Sequence, residues 1–207
     1  ELLNRMITVD SSCHCSKTEN LKAFNLYAEG RHHWNKRAES EIEIGIECFK
    51  KALKEDPEFS LAYTGLIDSW ILLIKFGHTK KERLLPQCWD ALHKAEELGD
   101  KYGIGASLNN IGGMYLVEGD YERALKYFKR SLAILEELGN KGGMAYNLNN
   151  IGQMYNNQGD HEKAMDYFER SLKTYEELGD KSGIGYNLTD IGFVYKNQGD
   201  YDKAMDY

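Results

Sequence analysis

Part of the chain copies itself, and this limits what it can fold into more than any other feature. Gly105 to Met144 aligns without a gap on Ala145 to Ile184 with more than half of the positions identical, and a further copy starts at Gly185 and runs to the last residue. The period is 40 residues. The matching words are Leu108-Asn109-Asn110-Ile111-Gly112, Leu148-Asn149-Asn150-Ile151-Gly152 and Leu188-Thr189-Asp190-Ile191-Gly192. Each is followed at a fixed distance by Tyr115, Tyr155 or Tyr195, and then by Gly119-Asp120, Gly159-Asp160 or Gly199-Asp200. Self-similarity at such a period means stacked units, none of which buries its apolar face alone.

Within one unit Leu108, Ile111 and Tyr115, and then Ala124, Tyr127, Phe128, Ser131, Leu132 and Leu135, recur in steps of three and four residues. That is the helical period, so each unit is expected to hold two helices. Gly119 breaks the first helix, and Asp120 is placed to cap the second by accepting from an early backbone N–H. Gly139 and Gly179 suit the left-handed residue that ends a helix, with Asn140 and Asp180 as the next caps. Helices are predicted at 101–117, 121–138, 141–157, 161–178, 181–197 and 201–207. Gly112 with Ala124, and Gly152 with Ala164, let paired helices approach closely while Tyr115 and Phe128 fill the space beside them.

Leu-x-x-Ile-Gly-x-x-Tyr, Gly-Asp-Tyr/His, Ala-x-x-x-Phe and Ser-Leu resemble the tetratricopeptide repeat consensus. The repeat is longer than the usual unit of roughly 34 residues. In this it is similar to the repeats of kinesin light chain and of the regulators with Leu-Gly-Asn repeats. The resemblance implies an all-α fold, a right-handed superhelical solenoid of antiparallel helix pairs. Upstream, Gly45-x-x-x-Phe49-x-x-Ala52-Leu53-x-x-x-Pro57 matches a second repeat helix, with Gly45 where alanine is usual. Its partner is expected at Asn20 to Trp34, with a long linker from Asn35 to Ser40. Ser60 to Phe76 and Lys80 to Leu98 make another pair, and Pro86 means that its second helix starts there or kinks. The expected organisation is an N-terminal linker or extension at 1–19, divergent repeats at 20–57 and 58–100, regular repeats at 101–140 and 141–180, and a partial fifth at 181–207.

Thr18-Glu19-Asn20-Leu21, the run from Leu26 to Arg37, and Leu61-Ala62-Tyr63-Thr64-Gly65-Leu66 are similar to the repeat tails of bacterial adenylate cyclases, serine/threonine kinases and transcription regulators. This resemblance implies a regulatory or sensory tail of a larger signalling protein, acting by intramolecular docking or self-association. The fifth unit stops at Tyr207, just before the Phe that its siblings supply. Truncation is the expectation, with a frayed or packed last helix and self-association through that incomplete repeat left open.

The first helix of each pair is expected to line the concave side, so its positions outside the core form the natural groove. Stacking the repeats puts Asn110, Asn150 and Asp190 in one row and Asn109, Asn149 and Thr189 beside it. Gly113, Gln153 and Phe193 follow one turn later, then Leu116, Asn156 and Lys196, with Val117, Asn157 and Asn197. An amide offers both donor and acceptor, so a ladder of asparagines can hold an extended peptide backbone without demanding particular side chains. In kinesin-light-chain-like repeats such a ladder does so, which is what the resemblance implies for Asn110, Asn150 and Asp190. The alternative is that these side chains solvate an idle surface or bond to adjacent helices. Tyr146 and Tyr186 lie one turn before the ladder, to cradle apolar side chains of a ligand or to pack between repeats.

The remaining features point away from chemistry. The formal net charge is -7, without a Lys/Arg stripe to neutralise phosphates, so nucleic acid is not an expected partner. The longest apolar run, Leu66 to Phe76, contains Asp68 and Lys75 and is too short to span a bilayer. No signal pattern and no disulfide framework among the four cysteines is apparent, which favours a cytoplasmic setting. Cys13-His14-Cys15 cannot close a zinc site without a second pair. His32-His33-Trp34 reads as a packed turn, and Cys48 and Cys88 as small hydrophobes. Paired glutamates such as Glu136-Glu137 and Glu176-Glu177 read as solvated charge. No catalytic site, metal or cofactor is expected, and the expected role is a scaffold that binds a partner peptide or protein.

Overall fold

A computed structural model describes residues 18–207. Among them ten helices follow one another without a strand: α1 (Leu21–Asn35), α2 (Glu39–Glu55), α3 (Ser60–Lys75), α4 (Lys81–Glu97), α5 (Lys101–Val117), α6 (Tyr121–Glu137), α7 (Lys141–Asn157), α8 (His161–Leu178), α9 (Lys181–Gln198) and α10 (Tyr201–Ala204). The chain forms two compact units, one up to Ile104 and one from Gly105.

In the second unit the punctuation works as the sequence predicts. Gly119 takes a left-handed φ of 76°, which L side chains rarely adopt, and the chain turns there. The Asp120 carboxylate then accepts from Arg123 N at 3.1 Å, and Asn140 and Asp160 cap α7 and α8 in the same way, at 3.0 and 3.2 Å. Apolar residues fall on one stripe of each second helix. Ala124, Phe128, Ser131 and Leu135 are buried on α6, and Ala164, Phe168, Ser171 and Tyr175 on α8.

The pairs close where one helix carries no side chain. A Cβ added at Gly112 would sit 2.6 Å from the Phe128 ring, and one at Gly152 would sit 2.7 Å from Phe168. Two buried serines pin the pairs further: Ser131 donates to the Gly105 carbonyl at 2.7 Å and Ser171 to the Ala145 carbonyl at 2.8 Å. Tyrosines stack beside each turn. Tyr115 and Tyr127, Tyr155 and Tyr167, and Tyr195 and Tyr207 have centroids 5.5, 5.5 and 5.6 Å apart. Over the first ring of each pair lies a cation, Arg123, Lys163 or Lys203, that also pairs with the capping aspartate. The last helix is shorter than the predicted 201–207. It ends at Ala204, where Met205 and Asp206 tighten into bonds three residues back, while Tyr207 keeps its place on Tyr195.

The first unit uses the same device with more variation. Gly30 and Gly65 both face the Phe49 ring, and a Cβ added at either would lie 2.6 or 2.9 Å from it, respectively. Gly45 replaces the usual alanine because a Cβ there would lie 3.0 Å from the Gly30 carbonyl oxygen. The Tyr27 ring sits between Phe49 and Phe59, at 5.7 and 5.3 Å. Two expectations change. The linker between α1 and α2 is only 36–38, because Arg37 adopts a left-handed φ of 58° and turns the chain sharply. Helix α4 does not begin at Pro86: it starts at Lys81 and carries Pro86 within its second turn.

Asp100 is fully buried, and its carboxylate accepts from Gly103 N at 3.0 Å. Burial pushes its carboxyl above the ordinary aspartate range, partly opposed by the Gly103 N–H and the Ser60 hydroxyl. A carboxyl raised in this way holds its proton more tightly folded than unfolded. Its contribution is complete below the unfolded aspartate pKa and is lost as pH rises through the folded one. Asp100→Asn keeps the acceptor, as Asn140 does in the next repeat. It should raise the unfolding temperature at pH 7, and the gain should vanish in acid below the ordinary aspartate range. Phe168→Ala, by emptying a fully buried ring site, should cost about 3–5 kcal/mol in urea unfolding.

Candidate functional site

The first helices of the second unit carry the row of amides and aromatics picked out from the sequence. On α7 the residues Tyr146, Asn150, Gln153 and Asn157 recur at three- and four-residue steps, and on α9 Tyr186, Asp190, Phe193 and Asn197 do the same, so each set lies along one stripe.

The amides along these stripes are bonded to one another across repeats. Asn150 Nδ2 donates to Asn109 Oδ1 at 3.0 Å, Asn149 Nδ2 to Asp190 Oδ2 at 2.8 Å, and Asn197 Nδ2 to Asn156 Oδ1 at 3.2 Å. Gln153 Nε2 bridges Asn149 Oδ1 at 3.2 Å and Asp190 Oδ2 at 3.0 Å. The same Asn156 Oδ1 also lies 3.0 Å from His161 Nδ1. The three bonds donated by asparagines each span 41 residues, one more than the period, so the ladder leans by one position from helix to helix. Asn109 and Asn149 are buried, and Asn110, Asn150, Gln153, Asn156 and Asp190 are half-buried.

The aromatics of the row are open. Tyr146, Tyr186 and Phe193 are 54%, 76% and 49% exposed. Lys196 lies over the Phe193 ring at 5.7 Å, and Asn157 and Lys196 are exposed.

One column escapes the sequence reading altogether. Ser107, Asn147 and Asn187 stand 40 residues apart, are fully buried, and have side-chain polar atoms without a hydrogen-bond partner. The period alone could have aligned them, but nothing in it tells a buried amide from the exposed one three residues on.

No group of three or more His, Cys, Asp or Glu side chains is placed to hold a metal ion among the described residues. Cys13-His14-Cys15 lies outside the described residues. His33 Nδ1 meets Glu41 at 2.5 Å, and Trp34 is covered by Arg31 and Arg37 with centroid distances of 4.3 and 3.7 Å, which is the packed turn expected of this segment. Cys48 and Cys88 are buried, and burial pushes the Cys88 thiol up to about 12. The paired glutamates at 136–137 and 176–177 are exposed, and Glu177 pairs with Lys141 at 3.2 Å. No described helix is long and apolar enough to cross a membrane.

The tetratricopeptide repeat model matches residues 103–177 and again 143–207, which together cover half of the chain. The chain belongs to the tetratricopeptide repeat family. Similar structures agree in fold. Aspartyl phosphate phosphatase F from Bacillus subtilis superposes with a TM-score of 0.69 over 90% of this chain and 49% of its own, at 19% identity. A Rap protein complexed with competence and sporulation factor gives 0.67 over 92% of this chain and 53% of its own, at 18% identity. A kinesin light chain with nearly identical TPR-like repeats from Podosopora anserina gives 0.61 over 92% and 93%, at 10% identity. This tetratricopeptide chain thus spans about half the length of the phosphatase and of the Rap protein. Among curated protein sequences nothing matches significantly. The repeat is a fold that interaction proteins use as a scaffold.

The bonded amides and the open rings should respond differently to mutation. Asn149→Ala removes a bond to a carboxylate and one to Gln153, and should cost about 1.5 kcal/mol in urea unfolding. Tyr146→Ser should stay within about 0.5 kcal/mol of the parent chain in the same measurement.

Proposed function

We propose that the chain is a binding scaffold and that the stripe on α7 and α9 takes an extended or helical segment of a partner polypeptide. The observation that carries this reading is the trio of open aromatic rings, Tyr146, Tyr186 and Phe193, beside a row of amides already held in place. Rings of this kind bury large area for little loss of side-chain freedom, and aromatic residues are enriched at protein interfaces. The amides flank them with donors and acceptors. Asn150 spends one N–H on Asn109 and keeps further hydrogen-bonding capacity, as does Asp190 through its second oxygen. Asn110, Asn157 and Lys196 complete the polar margin of the proposed surface. That a Rap protein of similar fold is complexed with competence and sporulation factor supports a bound partner as the use of such a scaffold.

A catalytic role has no support in the described residues. The second reading, a regulatory segment of a larger signalling protein, is compatible with the first, since a tail that docks on a partner domain uses a binding surface to do so.

The test uses the open rings rather than the amides, because Asn150→Ala would also break a bond between repeats. Peptides selected from a random display library on the parent chain should bind a Tyr146→Ser/Tyr186→Ser/Phe193→Ser variant at least tenfold more weakly, a loss of about 1.4 kcal/mol or more. Circular dichroism should show the variant folded. Selected peptides that bind both chains equally well would rule this surface out.

A further inference from the structure

Each tandem copy of the second unit closes one side of its helix pair with a tyrosine. Tyr127 lies on Tyr115, Tyr167 on Tyr155 and Tyr207 on Tyr195. The pair α3–α4 of the first unit lacks that ring. Helices α4 and α6 each run for 17 residues, from Lys81 and from Tyr121, and left-handed glycines follow at 99 and 139, so the two align 40 residues apart. Gln87 therefore stands where α6 has Tyr127. On the facing helix, α3 presents the Trp70 indole. A groove of about 430 Å³ opens between them, with buried Leu66, Trp70 and Ala91 as its base and Tyr63, Gln87 and Asp90 along its sides.

Charge at the rim differs in the same register. Where α6 and α8 carry Arg130 and Arg170, α4 carries Asp90. In α8 the Arg170 guanidinium lies over the Tyr167 ring at 5.1 Å. Asp90 has no ion-pair partner among the described residues. Lys94, the other charge at the groove, is paired with Glu97 at 2.7 Å, so the uncompensated charge is negative.

We propose that this groove receives one aromatic side chain from a partner polypeptide, packed against Trp70, with a neighbouring Lys or Arg of the partner meeting Asp90. The site is separate from the stripe on α7 and α9 and stands or falls without it. An aromatic occupant follows from the molecule's own solution at this place, a ring about 5.5 Å from its neighbour in each tandem copy, within the usual range for offset pairs. A polypeptide follows from the openness of the groove, which would leave a free small molecule largely wet, whereas small-molecule sites bury roughly 70–90% of their ligand.

The experiment follows the side-chain signals of Trp70 by NMR in the full chain, whose three tryptophans make assignment tractable. The probes are the blocked peptides Lys-Tyr-Lys, Lys-Leu-Lys and Glu-Tyr-Glu, and tyrosinamide. Lys-Tyr-Lys should shift the Trp70 signals saturably, with an apparent Kd at least roughly fivefold below those of the other three. Gln87→Tyr, which supplies the missing ring from within, should abolish the shift while leaving the unfolding temperature unchanged or higher. The proposal is overturned if Lys-Tyr-Lys leaves Trp70 unmoved, if the leucine or glutamate peptide binds as well, or if Gln87→Tyr responds like the parent. Equal binding of tyrosinamide would also overturn it, by making the groove a site for free aromatic molecules.

Discussion

The close approach of a helix glycine to a phenylalanine ring is the constraint on which the pairs α1–α2, α5–α6 and α7–α8 depend. Gly112 against Phe128, Gly152 against Phe168 and Gly30 against Phe49 leave no room for a Cβ, with distances of 2.6, 2.7 and 2.6 Å to the nearest ring atoms. The ring thus sets both the separation of the two helices and their rotation about their own axes. Rotation matters for function, because on a helix it decides which residues point inward and which form the outer stripe. With Gly152 turned toward Phe168, Tyr146, Asn150, Gln153 and Asn157 are left along a different face. The core contact and the candidate surface are therefore two consequences of one orientation.

Much of this was legible in the sequence because the repeat supplies several independent signals at the same spacing. Gly119, Asp120, Gly139 and Asn140 mark ends and starts of helices, and they act as predicted because each works through its own backbone within a few residues. Positions such as Pro86 and Arg37 were harder. Proline disfavours a helix interior, yet α4 continues through Pro86 with buried Leu84, Cys88, Ala91 and Leu92 on its inner side, so burial outweighs one lost backbone bond. Arg37 makes a left-handed turn that composition does not announce, and its guanidinium comes to rest over Trp34 at 3.7 Å.

The alignment of the candidate surface positions was legible in the sequence, and their bonding was not. A period of 40 residues aligns Asn110 with Asn150 and Asp190 as rows, but the side chains pair at 41, joining Asn109 to Asn150 and Asn149 to Asp190. Such an offset comes from how neighbouring helices lean on one another, which no single repeat encodes. The buried column Ser107, Asn147 and Asn187 was missed for a related reason. Asn147 and Asn150 are one turn apart and chemically identical, and only their angular position around α7 separates a buried amide from a half-buried one.

Cross-repeat bonding changes what an amide row can do. A free asparagine must give up side-chain freedom when it meets a ligand, whereas one already held by Asn109 or Asp190 has lost that freedom on folding. Its remaining donors and acceptors are fewer but fixed in direction, which lowers the entropic cost of each new bond. The gain is in orientation and the loss is in number, so the amides alone offer little area to hold a partner. Tyr146, Tyr186 and Phe193 supply that area on the same helices, at 54%, 76% and 49% exposure. A surface built in this way should select partners by where their apolar side chains fall, with the amides setting the direction of the bound backbone.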